Sequence, residues 1–366
     1  MKRYTFRLLA PLAFASFLVS CGDSKEVVAA SPVKEDTKPA APVANSDAPA
    51  APVVAAKVEV NPAQLGVFAT LPAVVENPDN PVTDAKVALG RMLYYDKRLS
   101  ADNTVSCNSC HDLASFGDDG AKNSSGINGQ HGGRSAPTVY NAALHLAQFW
   151  DGRAKDVEEQ AKGPVLNSIE MGMPDGAAVI AKLKAIAGYP EKFAAAFPGE
   201  ADSMTYDNLG KAIGAFERKL LTPGRFDKFL AGDQAALTDD EKRGLNAFLA
   251  AGCTVCHNGA AVGGTLYQKV GLEKPWPGVT DKGRSAITNN PAEEFFFKVP
   301  SLRNITETAP YGHDGRVATI EEMVKMMAEH QLGKMLTDDE VKDIVTFLKA
   351  LKGEVDQEYI KEPVLP

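Results

Sequence analysis

The sequence predicts a mainly α-helical chain made of two similar halves. Three observations point there. The pentapeptides Cys107-Asn108-Ser109-Cys110-His111 and Cys253-Thr254-Val255-Cys256-His257 share the pattern C-x-x-C-H at an offset of 146 residues. Each is approached by apolar residues at helical spacing: Val87, Leu89, Met92 and Leu93 before the first, Leu245, Phe248 and Leu249 before the second. No stretch alternates apolar and polar residues as a half-buried strand does.

Taken in order, residues 1–20 read as an export signal. Lys2, Arg3 and Arg7 make the basic start, and Leu8 to Val19 the apolar stretch. Leu18-Val19-Ser20-Cys21 resembles a lipobox, which would make Cys21 a lipidated first residue; a plain cleaved signal with a stray cysteine is the alternative. Residues 21–62 are rich in Ala, Pro and Val and should form an extended tether. Helical patterning starts at Asp84 and runs towards the first motif. A Gly-rich loop, Phe116 to Gly133, follows it, and Ala177–Ala187 and Leu209–Leu221 carry further helical spacing. Pro223-Gly224 breaks the chain, so one domain is assigned to 63–221 and a second to 222–355. In the second, Thr238-Asp239-Asp240-Glu241 and Thr337-Asp338-Asp339-Glu340 are capping boxes opening two helices. Residues 356–366 form a tail, expected to return to the first half.

Composition narrows the function. Of the 366 residues 44% are hydrophobic, and no apolar run of about 20 follows the N-terminus, so the chain reads as globular beyond its signal. The formal charge is −8; without residues 1–20 it becomes 36 basic against 47 acidic groups, −11. That balance excludes nucleic acid as a natural partner and favours a basic or dipolar protein. Of five cysteines, one goes to the lipobox and four to the repeated motifs, leaving none for a disulfide.

The C-x-x-C-H pattern is the attachment site of a c-type haem. Two thiols three residues apart add to the two vinyl groups of one porphyrin, and the adjoining histidine ligates the iron. A zinc ribbon would want its cysteine pairs about 15–20 residues apart, far closer than here. Helix, C-x-x-C-H, loop and closing helix is the plan of a small cytochrome c domain. The fold expected is therefore two cytochrome c-like helical domains, each with one covalent haem c, packed around an inter-haem interface. Met327 is the candidate for the other face of the second iron, with a plain core methionine as the alternative. His131, His145, Met171 and Met173 are the candidates near the first. Glu170 lies in an apolar setting where burial would raise its pKa and suit it to proton transfer; an exposed loop carboxylate is the alternative.

With Ala136-Pro137-Thr138-Val139-Tyr140-Asn141, Gln148-Phe149-Trp150-Asp151-Gly152-Arg153-Ala154, Glu159-Gln160-Ala161-Lys162-Gly163-Pro164, Glu170-Met171, Phe297-Lys298-Val299-Pro300-Ser301-Leu302-Arg303-Asn304 and Thr308-Ala309-Pro310-Tyr311-Gly312-His313-Asp314-Gly315, the chain resembles the bacterial dihaem cytochrome c peroxidase family from about residue 65 to 355. The resemblance implies reduction of hydrogen peroxide with electrons from a small periplasmic cytochrome c or cupredoxin. It makes His111 the proximal ligand of a low-potential, peroxidatic haem, Glu170 the acid-base and Gln160 its neighbour. It makes His257 and Met327 the ligands of a high-potential haem, and Trp150 the residue between the two. It also implies calcium at the domain interface, on Ser135 and the main-chain oxygens of Thr308 and Pro310, and a homodimer in many members. The expected location is the periplasm, with a membrane contact only through lipid on Cys21.

Two departures stand out. Where many members carry a histidine that caps the resting peroxidatic iron, an ungapped alignment puts Ile127, with His131 four residues on; either His131 serves as a displaceable ligand or the site rests open. Ser135 replaces the usual asparagine beside calcium. The rival from another class is a dihaem electron-transfer cytochrome inert to peroxide. A relative that matures tryptophan tryptophylquinone carries tyrosine in place of the methionine ligand, and Met327 argues against that.

Overall fold

The computed structural model describes residues 57–366; the export signal, Cys21 and most of the tether lie outside them. The architecture is mainly α. Among the described residues seven helices of eight or more residues organise it: α1 (Asp84–Tyr95), α2 (Gly176–Lys184), α3 (Tyr189–Ala196), α4 (Tyr206–Glu217), α5 (Asp239–Ala251), α6 (Ile320–Leu332) and α7 (Asp338–Ala350). Among the described residues the only strands are β1 (Tyr267–Lys269) and β2 (Phe296–Lys298), antiparallel with Gln268 opposite Phe297.

Local chemistry accounts for the helix boundaries. Thr83 caps α1 by accepting from the Lys86 N–H, and Thr205 caps α4 by accepting from Asn208. Both capping boxes form: the Glu241 N–H reaches the Thr238 hydroxyl at 3.2 Å, and the Glu340 N–H reaches Thr337 at 3.2 Å. Gly252, at φ 93°, ends α5 in the left-handed region just before Cys253.

Two apolar cores result. The first gathers Leu89 and Leu93 of α1, Leu183 of α2, Phe193 of α3 and Ile213 and Phe216 of α4. The second gathers Leu245 and Phe248 of α5 with Ile344, Phe347 and Leu348 of α7. Each rests on one helix crossing, made close by a glycine. A Cβ on Gly90 would lie 1.9 Å from the Ala212 carbonyl oxygen, and one on Gly244 would lie 2.0 Å from that of Asp343. Backbone meets backbone at both crossings, so nothing there can move aside. Gly90→Ala and Gly244→Ala should each cost about 1–3 kcal/mol. A guanidinium melt of each variant checks this; an unchanged midpoint would mean the crossing is looser than described.

The chain ends cross over. Val60 and Phe68 pack into the second core, Phe68 edge-on to Phe226 at 5.3 Å, although sequence alone put residue 63 at the head of the first half. The tail packs Ile360 into the first core and stacks Tyr359 on Phe216 at 5.1 Å. Between the halves, Thr222 is fully buried and its hydroxyl accepts from the amides of Asn141 and Asn304, each at 2.9 Å. Both asparagines sit at φ near +60°, a conformation that asparagine tolerates better than most residues. The A-P-T-V-Y-N and V-P-S-L-R-N strings thus end at one shared hydroxyl.

Candidate active site

Each C-x-x-C-H segment is a single tight turn. The His111 N–H donates to the Cys107 carbonyl at 3.0 Å, and His257 to Cys253 at 2.9 Å, which fixes each imidazole beside its two thiols. A cavity opens at each turn. The first, ≈ 170 Å³, is bordered by Cys107, Cys110, His111, Gln160, Glu170 and Met171 among others. The second, ≈ 230 Å³, is bordered by Cys253, Cys256, His257, Met323 and Met327 among others.

These residues fit haem c. All four thiols are free. Nδ1 of His111 and of His257 is buried without a hydrogen bond of ordinary geometry. Burial lowers the pKa of both rings, His257 to about 4, and the nearby main chain of Val262 and Pro300 offsets only part of that. Both imidazoles are therefore neutral near pH 7, with a nitrogen lone pair to give a metal. Two thiols and an imidazole at each turn, with the thioethers of Met323 and Met327 also bordering the second cavity, is a haem c donor set.

Glu170 is partly buried on the wall of the first cavity, and burial raises its pKa above the ordinary 4.5. Arg153 and the Asn167 amide pull the other way. Asn167 donates to Oε1 at 2.8 Å, and Oε2 accepts from no protein donor among the described residues. The Gly-rich loop is pressed on this segment: a Cβ on Gly126 would meet the Ile169 carbonyl oxygen at 1.9 Å. Gln160 closes the turn Val157–Gln160, which Asp156 caps. Arg153 lies over the Phe149 ring at 3.5 Å and pairs with Asp151 at 2.9 Å, so its guanidinium is held at the same cavity.

Trp150 borders both cavities. It stands on a turn closed by the Gln148–Ala154 bridge, and Tyr311–Val317 makes the matching bridge around His313. The halves interlock by exchange: the Lys298 N–H donates to the Trp150 carbonyl at 2.7 Å, and the Ser135 N–H to that of His313 at 2.9 Å. Trp150 and His313 meet edge to face at 6.4 Å. Arg134 adds ion pairs to Asp151 at 2.5 Å and Asp281 at 2.6 Å. A residue that touches both cavities is thereby fixed from both sides.

Other sequence candidates lie elsewhere. His131 is exposed, its Nδ1 3.3 Å from the carbonyls of Asn123 and Ser124, and it does not border the first cavity. Ile127 is buried in the first core against Gly172. His145 borders the second cavity, not the first, and Met173 is a core residue away from the cavity wall. Ser135, Thr308 and Pro310 all border the second cavity, and the Ser135 carbonyl already accepts from Trp150 Nε1 at 2.9 Å.

Sequence reasoning missed three residues at the first cavity or beside it: Asn167, Arg153 and Glu217. Arg153 was inside a string already singled out and Asn167 lies three residues before Glu170, but nothing in one dimension aims either at its carboxyl. Glu217 could have been found, since it falls four residues after Ile213 on the apolar face of α4. It is buried, and burial first, then Glu158, pushes its carboxyl up to about 8.

Comparison with known proteins finds a match for each half of the chain. Residues 84–235 match the di-haem cytochrome c peroxidase family, and residues 241–352 match cytochrome c. The cytochrome c551 peroxidase of Nitrosomonas europaea is 48% identical over 76% of this chain and 82% of its own. That of Pseudomonas aeruginosa is 42% identical over 82% and 88%. Among solved structures, a MauG-like protein associated with microbial copper homeostasis superposes with a TM-score of 0.71 at 30% identity, covering 80% of this chain and 97% of that one.

Proposed function

The chain belongs to the di-haem cytochrome c peroxidase family, and from that premise we propose that it reduces hydrogen peroxide to water with electrons from a small cytochrome c or cupredoxin. The observation that carries this reading is Glu170: a carboxyl with one unpartnered oxygen, its pKa raised by burial, on the wall of the cavity that His111 borders.

Bound haem c supplies a redox-active iron at each turn, and the chemistry sums to peroxide plus two electrons and two protons giving two waters. Glu170 takes the proton from the near oxygen of peroxide and returns it to the far one, so that water departs instead of hydroxide. Asn167 holds the carboxylate in place, and Gln160 orients the oxygens by hydrogen bonding. Arg153 contributes positive charge where negative charge develops. His111 would ligate the first iron, and His257 and Met327 would ligate the second. Trp150, which borders both cavities, would assist electron transfer between them. Ser135 and the main-chain oxygens of Thr308 and Pro310 would supply the oxygen ligands of a calcium ion. An N-terminal export signal would send the enzyme to the periplasm, anchored through Cys21, and the net charge of −11 left without residues 1–20 suits a basic or dipolar donor.

The test is oxidation of a reduced small cytochrome c by peroxide in the presence of the holoprotein. No turnover, together with no high-spin haem after one-electron reduction, sinks the proposal in favour of a plain electron carrier. The pH profile adds a signature. Glu170 works as a base when ionised, and burial raises its pKa. Turnover should thus fall as the pH drops through a value above 4.5, and that acid limb should vanish in Glu170→Gln.

A further inference from the structure

Lys298 ends β2 with only 5% of its surface exposed, on the wall of the second cavity. Among the described residues no carboxylate pairs with it; its one polar side-chain contact is Nζ to His145 Nδ1 at 3.0 Å. Burial alone pushes its pKa down to about 8, with no acid to offset the effect. His145 borders the same cavity, and its Nε2 is buried with no partner. The imidazole packs directly on Gly264, where a Cβ would lie 2.2 Å from its Cδ2. The Leu146 N–H also bonds the Gly264 carbonyl at 2.9 Å, locking the two segments together.

Nδ1 facing an ammonium must be the acceptor, which leaves the proton on Nε2. The His145 Nε2–H and the ammonium's remaining N–H groups, one donor neutral and one charged, therefore border one cavity with no acceptor for them among the described residues. A buried cation without a counter-ion is strongly unfavourable, so this pair is built for an anion. The group that thiols at Cys253 and Cys256 would bring into this cavity carries two carboxylates of its own. We propose that Lys298 and His145 seat a propionate carboxylate of the haem held by Cys253 and Cys256. The main-chain N–H of Lys298 donates to the carbonyl of Trp150, which borders both cavities, so the seat is tied directly to that residue. The inference rests on haem being bound at this turn, and not on peroxidase activity.

A cation beside the cofactor favours the reduced iron. In Lys298→Gln, spectroelectrochemical titration should show the oxidised-to-reduced ratio of the second haem rising about tenfold at fixed potential, a fall of about 59 mV for one electron. The first haem should not move, and Lys298→Arg should keep the original midpoint. An unchanged midpoint, or equal movement of both haems, overturns the proposal. Should Lys298→Gln fail to mature, His145→Gln carries the test by resonance Raman. The propionate-bending band of the second haem must shift in that variant, and an unshifted band overturns the proposal too. Neither readout uses turnover, so an inactive protein would sink the peroxidase reading and leave this one standing.

Discussion

Glu170→Gln is expected to lower peroxide turnover by on the order of 10²–10⁴-fold, the range that a positioned general acid-base contributes. The change is nearly isosteric. A glutamine oxygen can still accept from Asn167, which donates to Oε1 at 2.8 Å in the native chain, so the loop Asn167–Met171 should keep its shape. What disappears is the group able to take a proton at neutral pH and give it back. Steady-state kinetics with reduced cytochrome c measure the loss, and a pyridine haemochrome assay should still count two haems per chain. Full turnover with both haems in place would remove Glu170 from the mechanism.

The second large effect concerns Met327. A thioether ligand favours reduced iron, and axial ligands tune haem potentials over about 0.8 V. Met327→His should therefore lower the midpoint of the second haem by on the order of 100 mV or more. Peroxide binding at the first should persist, because Met327 borders only the second cavity. Spectroelectrochemistry of the two haems reads this directly. A midpoint that stays put would transfer the ligand role to Met323, one turn earlier on α6 and on the same cavity wall.

Much of the candidate site was legible in one dimension because its geometry is local. In C-x-x-C-H the turn that bonds His111 to Cys107, or His257 to Cys253, is made by the five residues themselves. The same holds for the helices opened by Thr238 and Thr337, whose caps lie three residues from their partners. His145 shows where local reading stops. It sits 34 residues after His111 and was weighed beside the first iron, yet the Gly264 segment draws it to the second cavity. Phe68 and Ile360 likewise join the cores of the opposite halves, because apolar side chains follow available surface and not sequence order.

The sequence by itself determined the mainly helical class, the two C-x-x-C-H turns and the family. Each of these is carried by contiguous residues with short-range physics. Tertiary structure alone decided which groups share a cavity. It brought Arg153 and Asn167 to Glu170, placed Trp150 against both cavities, left His131 in solvent and buried Lys298 with no counter-ion. Those relations come from packing two cytochrome c-like lobes around Thr222, and no spacing along the chain encodes them.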